Sequence, residues 1–565
     1  MCTGLIRNGA VLPPSSESEG LSDEAAASDL RVALTFAGGG FLAQACYTGL
    51  VSGLLASSQK HARLDLLQLF RRFGQVSSSS GGTWFVSELA FSPSFAQLVE
   101  DMARSPSSAG KLFDESWINR WLAIGKQASR AARVFGALSD LVGQAGLAQD
   151  VRMLGHFWRH GLTWSNFVGT LLAQTADLGP DMKLGSPVMP WASAKIWQAC
   201  HSMVTTSTTA GGSFFAPTFL SCALQTTQSG REENSLPLYV PARFSIRLGL
   251  GEKSVSPLPY AACEPGLLSG ATLAFGSSRA QGPSCSGLAE SLTGASPALG
   301  DFQSVTKHAG SLPLHKVVAA SSALLGGTSN KNMNPGRARV LSPFHARLST
   351  WVSSAPRGTA FDVAEELVGT QSQCWLDRTT FQKLAAASVW STADGGFTDN
   401  TAIAHAVAAG ASEVVALLNS INCDDPGGPA LFNMFQGGPS HSSQMGVVQS
   451  IFQVFREPVS WAQEQWAKNH TPLNVPESCK HLNGISIGKI KAHTAHCKWF
   501  GIREGRAITL HVINVNCALE VFLLEDFHHY SELVQSIVST LLIPGNANMV
   551  LPCFWVPRSI LTHVK

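Results

Sequence analysis

Two short segments of the sequence have the residue types of a serine nucleophile and of a base that activates it. Residues 77–84 read SSSSGGTW, directly after an apolar stretch, and residues 393–400 read ADGGFTDN. Small residues after a serine suit a nucleophile on a sharp strand-to-helix turn. An aspartate followed by two glycines suits a carboxylate held in a tight loop. Because a serine hydroxyl needs a base to take its proton, the pair predicts acyl hydrolysis with aspartate as the base.

Four consecutive serines compete for the role of nucleophile. We select Ser80 because Gly81 and Gly82 follow it, and crowding at the turn requires small side chains at those positions. The three preceding serines lack one or both neighbouring glycines. Asp394, the first residue of the Asp-Gly-Gly run, is the carboxylate that we pair with this serine.

A glycine-rich segment upstream can bind the negative charge that develops on an attacked carbonyl. Residues 36–41 read FAGGGF. The backbone N–H groups of Gly39 and Gly40, together with that of Gly81, would form an oxyanion hole. A phosphate-binding loop is the alternative interpretation, although the segment lacks the Gly-Lys-Ser/Thr ending of a nucleotide P-loop.

The other two segments also have interpretations without chemistry. The serine run can be a surface linker, although such linkers rarely end in Gly-Gly-Thr-Trp between two apolar elements. The Asp-Gly-Gly run can be an ordinary turn. Asp399 and Asn400 are predicted to cap the following helix. The order in which the three segments occur favours an active site over these separate interpretations.

The composition excludes some classes of protein. The 565 residues carry a formal net charge of +2, and only 14% are charged, which is well below the usual quarter. A nucleic-acid-binding protein normally has a clustered basic surface. We find no run of about eighteen apolar residues that would predict a transmembrane helix. The first residues lack the pattern of a secretory signal, so we expect a cytoplasmic protein with peripheral contact to membranes.

The cysteines and histidines predict no metal centre. Twelve cysteines are scattered without a Cys-x-x-Cys pair, which is typical of reduced, largely buried thiols. The segment His493-x-x-His496-Cys497 has the residue types of metal ligands, but no second cluster completes a set of four. We interpret it as an ordinary surface or core histidine pair.

The element pattern predicts an α/β fold. Residues 31–36 read as a buried strand, followed by the glycines and a helix over 42–57, and residues 83–91 read as the helix after the serine turn. Strands alternating with helices predict a mostly parallel sheet covered on both faces, which is a three-layer α/β/α arrangement. We predict further strands at 316–323, 413–418 and 509–515. We also predict a helix at 401–410.

The remaining segments differ in character. Residues 1–29 are rich in Ser, Glu, Pro and Ala and predict a disordered leader. Residues from about 100 to 240 contain many Trp, Phe and Leu at helical spacing, which predicts a largely helical cap inserted into the domain. Residues 251–312 are rich in Gly, Ser and Pro and predict long loops.

The order and chemistry of the three segments resemble the cytosolic phospholipase A2 and patatin-like acyl hydrolases. In those families a glycine-rich loop precedes a serine elbow, an Asp-Gly motif comes last, and a Ser/Asp dyad works without histidine. The resemblance implies Ser80 as nucleophile and Asp394 as general base. It assigns the oxyanion to the N–H groups of Gly39 and Gly40. It extends over roughly residues 31–420 and is specific at the three motifs.

The resemblance also implies a domain, a substrate and a mode of action. It implies a catalytic domain over residues 30–565 that cleaves fatty-acyl esters of phospholipids through an acyl-enzyme, as a phospholipase A2 or lysophospholipase does. The run SGGTW at 80–84 is closer to the phospholipases, whereas Asp-Gly-Gly and AASSA at 319–323 are closer to the patatins. No metal or organic cofactor is implied, and without an acidic calcium loop we expect calcium-independent activity.

Two departures from the family pattern leave alternatives open. Both families place an arginine just after the glycine-rich loop, where it steadies a phosphate or the oxyanion, and this sequence has Leu42 there. The usual first glycine of the elbow is Ser78, whose Cβ would make a positive φ costly. The alternatives are a weak or inactive relative that binds lipid or protein, and a patatin-type lipase for neutral or galactolipid esters.

One segment of the cap has the composition of a membrane-facing helix. Residues 117–133 contain Trp117, Trp121 and Ile124 together with Arg and Lys residues. Aromatic and basic residues on one helix suit the membrane interface. We favour the alternative that the tryptophans pack in the protein core, because Trp side chains are usually buried.

Overall fold

A computed structural model describes most of the chain. The described residues are 29–59, 64–122, 163–206, 239–261, 272–273, 305, 307–324, 349–353, 361, 389–421, 428–442, 447–518 and 527–555. The predicted leader, the second half of the 117–133 segment and most of residues 262–304 lie outside them. The fold is mixed α/β, with a sheet that is mostly parallel in its centre.

The described strands form one large sheet and one small hairpin. In chain order, β1 to β13 are Asp29–Phe36, Phe73–Ser79, Ile196–Thr206, Tyr239–Arg247, Thr272–Leu273, Thr350–Ser353, Val389–Asp394, Glu413–Ile421, Gly438–Ser442, Val447–Ile451, Thr471–Pro472, Leu482–His493 and Ala507–Cys517. The eleven-stranded sheet has the order β11-β12-β13-β8-β1-β2-β3-β7-β6, with β4 and β5 also paired to β3. The five strands from β13 to β3 in this order are parallel, and the outer pairings are antiparallel.

Helices connect and cover the strands. In chain order, α1 to α13 are Gly40–Ser58, Leu66–Leu69, Gly81–Phe91, Pro93–Arg104, Ala109–Phe113, Trp164–Ala176, Leu314–Ser321, Gly396–Asp399, Ile403–Ala408, Gly428–Gln436, Val459–Asn469, His528–Leu541 and Pro544–Phe554. Short 3₁₀ turns lie at Pro106–Ser108, Pro190–Ala192 and Ala309–Ser311, and a π-helical segment lies at Asp114–Ile118.

Successive residues of the central strands enter two separate apolar clusters. Leu34 and Phe36 of β1 belong to one cluster, which includes side chains of α1, α3 and α12. Ala33 and Ala37 belong to the other, which includes side chains of α9, α10 and α11. Because neighbouring residues of a strand point to opposite faces, the sheet is buried on both faces at its centre. This explains why the strands read as continuous apolar runs.

Helix α1 is long and apolar enough to cross a membrane, but 94% of its apolar window is buried inside the protein. The sequence-based search for such a run did not identify it, because Gln, Thr and Ser interrupt the apolar residues. The bent pair α12 and α13 passes the same test only if the two helices are counted together. In α1 the whole surface is covered because the helix packs against α3, α4, α12 and the sheet.

Strand β3 pairs with two strands, β2 and β7, one after the other along the same edge. Strand β2 runs parallel to it and ends at Ser79, opposite Cys200. Strand β7 runs antiparallel to it and ends at Asp394, opposite the next residue, His201. Strand β4 pairs with β3 along both stretches. Since a strand has only two edges, β2 and β7 share the other one and meet end to end.

Several predicted elements are confirmed, and one is wrong. The predicted strands at 31–36, 413–418 and 509–515 and the helices at 42–57, 83–91 and 401–410 are present. The predicted strand at 316–323 is instead the helix Leu314–Ser321. Its side chains are almost all buried, so neither periodicity could be recognised, and the adjacent valines misled the prediction.

The predicted helical cap also contains a strand of the main sheet. Within the described part of this range, helices α4, α5 and α6 lie where helical structure is predicted. However, Ile196–Thr206 forms β3, so the range of about 100–240 predicted as the cap includes a strand of the main sheet. Gln198, His201 and Ser202 of this strand are completely buried, so the strand lacks the usual amphipathic signal.

A buried carboxyl group ties three parts of the structure together. Glu88 of α3 accepts hydrogen bonds from Gln44 Nε2 of α1 at 2.5 Å, Trp117 Nε1 at 2.9 Å and Thr175 Oγ1 of α6 at 2.9 Å. Burial in this apolar surrounding raises the pKa of Glu88 to about 8, although all three hydrogen bonds lower it. The carboxyl group is therefore largely protonated at neutral pH.

Glu88→Gln is expected to remove part of the pH dependence of stability. The folded pKa of Glu88 lies above its ordinary value of 4.5, so its contribution is present below pH 4.5 and is lost as the pH rises to about 8. The wild-type free energy of unfolding should fall between pH 5 and 8.5 by at least about 1 kcal/mol more than that of the variant. Urea denaturation measures both. The exposed Glu115→Gln serves as control, and an unchanged slope in Glu88→Gln would contradict the assignment.

Candidate active site

The serine run ends at a strained residue on the turn between β2 and α3. Ser80 has φ 49° and ψ −123°, a backbone conformation that non-glycine residues rarely adopt. Its carbonyl oxygen accepts the N–H groups of Thr83 at 2.8 Å and Trp84 at 3.3 Å, which starts α3. The turn directs the Ser80 side chain away from the strand and leaves it 8% exposed. This is the local geometry of a nucleophile elbow.

The two glycines after Ser80 are required by close backbone contacts. A Cβ on Gly81 would lie 2.2 Å from the carbonyl oxygen of Gly40, and one on Gly82 would lie 2.5 Å from that of Phe36. Both contacts are with backbone atoms that cannot move aside. The glycine pair on which we based the choice of Ser80 therefore has a steric cause, which is the close approach of α3 to the end of β1 and the start of α1.

Ser80 and Asp394 meet in the structure. The Ser80 hydroxyl donates a hydrogen bond of 2.6 Å to Asp394 Oδ2, and Asp394 Oδ1 accepts the N–H of Gly396 at 2.7 Å. Asp394 is 4% exposed. Burial raises its pKa from 3.8 to about 6, while the bonds from Ser80 and Gly396 lower it. A carboxylate of this pKa is mostly ionised at neutral pH and is a stronger base than an ordinary aspartate.

The predicted oxyanion donors lie where two helices begin. Helix α1 starts at Gly40 and α3 starts at Gly81, and the Gly81 contact described above brings the two starts together. Gly39 and Gly40 have φ 143° and 57°, which favour glycine. Asn419 Nδ2 donates to the carbonyl oxygen of Gly38 at 2.9 Å and so holds the loop. The first N–H groups of each helix have no acceptor within their own helix and carry its positive dipole end.

Ser321 is a residue that the sequence analysis did not single out. Its hydroxyl accepts the Ser80 N–H at 3.1 Å, donates to the carbonyl oxygen of Cys200 at 2.6 Å and contacts Thr83 Oγ1 at 2.8 Å. Its carbonyl oxygen accepts the N–H of Gly395 at 3.0 Å. One residue at the end of α7 thus connects the serine turn and strand β3 through its side chain and the aspartate loop through its backbone. The AASSA run marks this region in the sequence, but nothing in it distinguishes Ser321 from Ser322.

Asn400 lies beside Ser80, although the sequence predicted a helix cap there. The position that a Cβ on Gly38 would occupy is 2.3 Å from Asn400 Oδ1 and 2.9 Å from Ser80 Cβ, so the two side chains flank one point. The capping prediction is confirmed for Asp399, whose Oδ2 accepts the N–H of Ala404 in α9 at 2.8 Å. The Asn400 amide therefore faces the site together with the glycine loop.

The other serines of the run have structural positions. Ser78 lies within β2 and outside the positive-φ region, so the concern about its Cβ does not apply. Its Oγ accepts from Trp197 Nε1 at 3.0 Å and from Thr83 Oγ1 at 3.0 Å. Ser77 and Ser79 are fully buried within the strand. Of the four, Ser80 is the one whose hydroxyl bonds a carboxylate.

Leu42 and the tryptophans of the 117–133 segment, which the sequence pattern singled out, are buried apolar side chains in the structure. Leu42, which replaces the expected arginine, is completely buried in the core and offers no charge. Trp117 and Trp121 are 1% and 6% exposed and pack against Phe41, which confirms that these tryptophans belong to the core. The remaining residues of the suggested membrane helix lie outside the described ranges.

A small cavity of about 30 Å³ borders the aspartate loop. Gly396, Asp399 and Asn400 line it together with apolar side chains that include Met434 and Phe500. A cavity of roughly 10–15 Å³ already accommodates a water molecule. This space accepts water but does not accept a fatty-acyl chain.

The described cysteines and the predicted histidine pair are consistent with structural positions. Cys46, Cys200, Cys497, Cys517 and Cys553 are free and buried, and Cys479 is free and half-buried. His493 Nδ1 lies 2.9 Å from Glu457 Oε1. The sequence of the whole chain matches no protein-family model, and no curated protein matches it.

Ser321→Ala is expected to reduce the reactivity of Ser80. The substitution leaves the Ser80 N–H and Thr83 without their shared partner, so the free energy of unfolding should fall by about 1–2 kcal/mol. Labelling of Ser80 by a fluorophosphonate should slow about tenfold, which corresponds to about 1.4 kcal/mol in the barrier. Ser322→Ala is the matched control, because that buried hydroxyl bonds only the Val318 carbonyl oxygen of its own helix. Equal labelling rates for the two variants would refute the positioning role.

Proposed function

We propose that this chain is a serine-dependent carboxylic ester hydrolase that acts on lipid acyl esters. The observation that carries the proposal is the 2.6 Å hydrogen bond from the Ser80 hydroxyl to Asp394, at a strained turn where two helices begin. A nucleophile, a base that is ionised at neutral pH and backbone N–H donors are the parts that acyl transfer requires. The geometry supports this function better than a phosphate-binding loop, which has no use for the dyad.

The first half of the reaction forms an acyl-enzyme. Ser80 Oγ attacks the ester carbonyl carbon while Asp394 accepts the hydroxyl proton through the existing hydrogen bond. The N–H groups of Gly39, Gly40 and Gly81 stabilise the tetrahedral oxyanion. When the intermediate collapses, the protonated Asp394 returns the proton to the departing alcohol oxygen, and the acyl group remains on Ser80.

The second half releases the fatty acid. A water molecule attacks the acyl-enzyme while Asp394 again accepts a proton, and the same N–H groups stabilise the second oxyanion. The small cavity lined by Gly396 and Asn400 has space for a water molecule near the aspartate loop. Ser80 then regains its proton and the site returns to its starting state.

The proposed architecture is that of the phospholipase A2 and patatin-like hydrolases, with three layers and a cap inserted between the serine and the aspartate. The two apolar clusters on opposite faces of the sheet support this arrangement. Within it, we propose phospholipids at a membrane surface as substrates. The support is the resemblance of the three motifs, and calcium has no role in the chemistry described above.

A second candidate substrate class follows from Leu42. Its side chain is buried where the related families place a cation, so no charge from this position meets a phosphate. This favours neutral lipid esters, as cleaved by a patatin-type lipase, over phospholipids. The inactive-relative alternative is disfavoured by the intact dyad, in which the Asp394 carboxyl group bonds the hydroxyl of a serine on a strained turn.

Fluorophosphonate labelling tests the proposal directly. Wild-type protein should be labelled at Ser80, and Ser80→Ala should lose both labelling and ester turnover by more than about 10³-fold, as expected for loss of a nucleophile. Ser87→Ala is the control, because that buried hydroxyl bonds only the carbonyl oxygen of Trp84. Turnover of phosphatidylcholine vesicles and of triacylglycerol emulsions distinguishes the two substrate classes. Lipid binding without labelling would contradict the enzyme hypothesis and would support the alternative of an inactive, lipid-binding protein.

The pH dependence of kcat/KM should report Asp394. The carboxylate must be ionised to accept a proton, and its pKa is raised to about 6, so kcat/KM should fall tenfold per pH unit below about pH 6 and level off above it. Asp394→Asn should abolish turnover at every pH. Circular dichroism at each pH confirms that the protein remains folded. A rate that stays constant down to pH 4.5 would show that another group acts as the base.

A further inference from the structure

A second group of side chains with chemical potential lies where β12 and α12 begin. His481 immediately precedes β12, His529 lies in the first turn of α12, and Glu532 lies three residues after it in the same helix. One ligand atom of each of these residues lies within 4.8 Å of the others. We propose that His481, His529 and Glu532 bind a divalent transition-metal ion of the zinc type. This site is independent of the ester chemistry proposed above.

The three side chains lie close enough together to bind one ion. His481 Nε2 lies 2.8 Å from Glu532 Oε2, and the rings of His481 and His529 stack with centroids 4.3 Å apart at an angle of 30°. Zinc with bonds of about 2.1 Å holds tetrahedral ligands about 3.4 Å apart. Because the lone pair of an imidazole nitrogen lies in the ring plane, one ring must turn out of the stack when both bind the ion. Two imidazoles and one carboxylate form a donor set that zinc accepts in proteins.

The position of His481 is determined by its backbone. It has φ 60°, which for a residue other than glycine is uncommon and persists only when surrounding contacts enforce it. The contacts come from α12 and from the end of β13. Ser536 Oγ accepts the N–H of Lys480 at 2.8 Å and donates to its carbonyl oxygen at 2.9 Å, and the N–H of Ala518 donates to the His481 carbonyl oxygen at 3.0 Å.

The site is accessible and leaves room for a further ligand. The His481 side chain is 23% exposed and the Glu532 side chain is 38% exposed. Both residues thus reach solvent, from which an ion can enter. Three protein ligands on one side and solvent on the other correspond to a site that keeps an open coordination position for water.

Lys480 competes with the ion for Glu532. Its Nζ lies 2.9 Å from Glu532 Oε1, and this contact holds the pKa of the carboxyl group below its ordinary value. The carboxylate is therefore ionised and available through Oε2, but a positive charge next to it opposes a cation. Removal of Lys480 should strengthen metal binding. A plain network of ion pairs predicts no such gain.

The His493–Glu457 pair provides a matched control within the same protein. It has the same His-to-carboxylate contact, at 2.9 Å, but among the described residues it does not belong to a group of three ligands. His493→Ala therefore breaks a histidine–glutamate pair without removing a proposed ligand.

Titration calorimetry with ZnCl₂ tests the proposal on the full chain without an affinity tag, after treatment with EDTA and dialysis. Wild-type protein should bind zinc with saturation. His529→Ala and Glu532→Gln should weaken that binding at least tenfold, Lys480→Ala should tighten it several-fold, and His493→Ala should leave it unchanged. Zinc should also raise the melting temperature of the wild type, because the ion joins β12 to α12, and should not raise that of His529→Ala.

Two results would overturn the proposal. The first is no saturable binding by the wild type, and the second is wild-type affinity in His529→Ala and Glu532→Gln. Circular dichroism of the metal-free variants establishes that each is folded. If neither ligand variant folds, Lys480→Ala decides: an affinity equal to or weaker than that of the wild type refutes the site.

Discussion

The candidate site depends on one edge of one strand. β2 and β7 pair with successive stretches of β3 from opposite directions and end at Ser79 and Asp394, opposite neighbouring residues. The hydroxyl and the carboxyl group, 314 positions apart in the chain, are thereby brought within 2.6 Å. The backbone hydrogen bonds between the strands determine this proximity, so the positions of the two side chains do not depend on flexible loops.

The site is kept in an unfavourable state by the structure around it. Ser80 holds a rare backbone conformation, and Asp394 is buried with a raised pKa. Backbone strain of the kind seen at Ser80 costs on the order of 1–3 kcal/mol and persists only where neighbours over-determine it. Here the neighbours are the glycine contacts between the starts of α1 and α3, and the hydroxyl of Ser321, which bonds both the turn and β3. The rest of the fold, including the buried Glu88, supports these helices.

The sequence identifies Ser80 and Asp394 more readily than it identifies the strand pairing and side-chain contacts that bring them together. Gly81 and Gly82 indicate Ser80 in the sequence because close backbone contacts exclude any larger residue at these two positions. A steric requirement of this kind can be recognised from residue types alone. The antiparallel direction of β7 is not visible, because it depends on pairing with a strand almost two hundred residues upstream. Ser321 and Asn400 were missed since their roles come from tertiary contacts, and α7 was read as a strand because full burial erases periodicity.

Because β2 and β7 pair with the same edge of β3, the distance between Ser80 and Asp394 does not depend on the length of the chain that connects them. β2, which ends next to Ser80, and β7, which ends at Asp394, both pair with β3, so the lengths of the connections from α3 to β3 and from β3 to β7 do not set the distance from Ser80 to Asp394. The entropy lost on closing a loop grows only logarithmically, by about 0.6 kcal/mol per doubling of its length. Insertions or deletions in these connections are therefore compatible with the same contact between the Ser80 hydroxyl and the Asp394 carboxyl group.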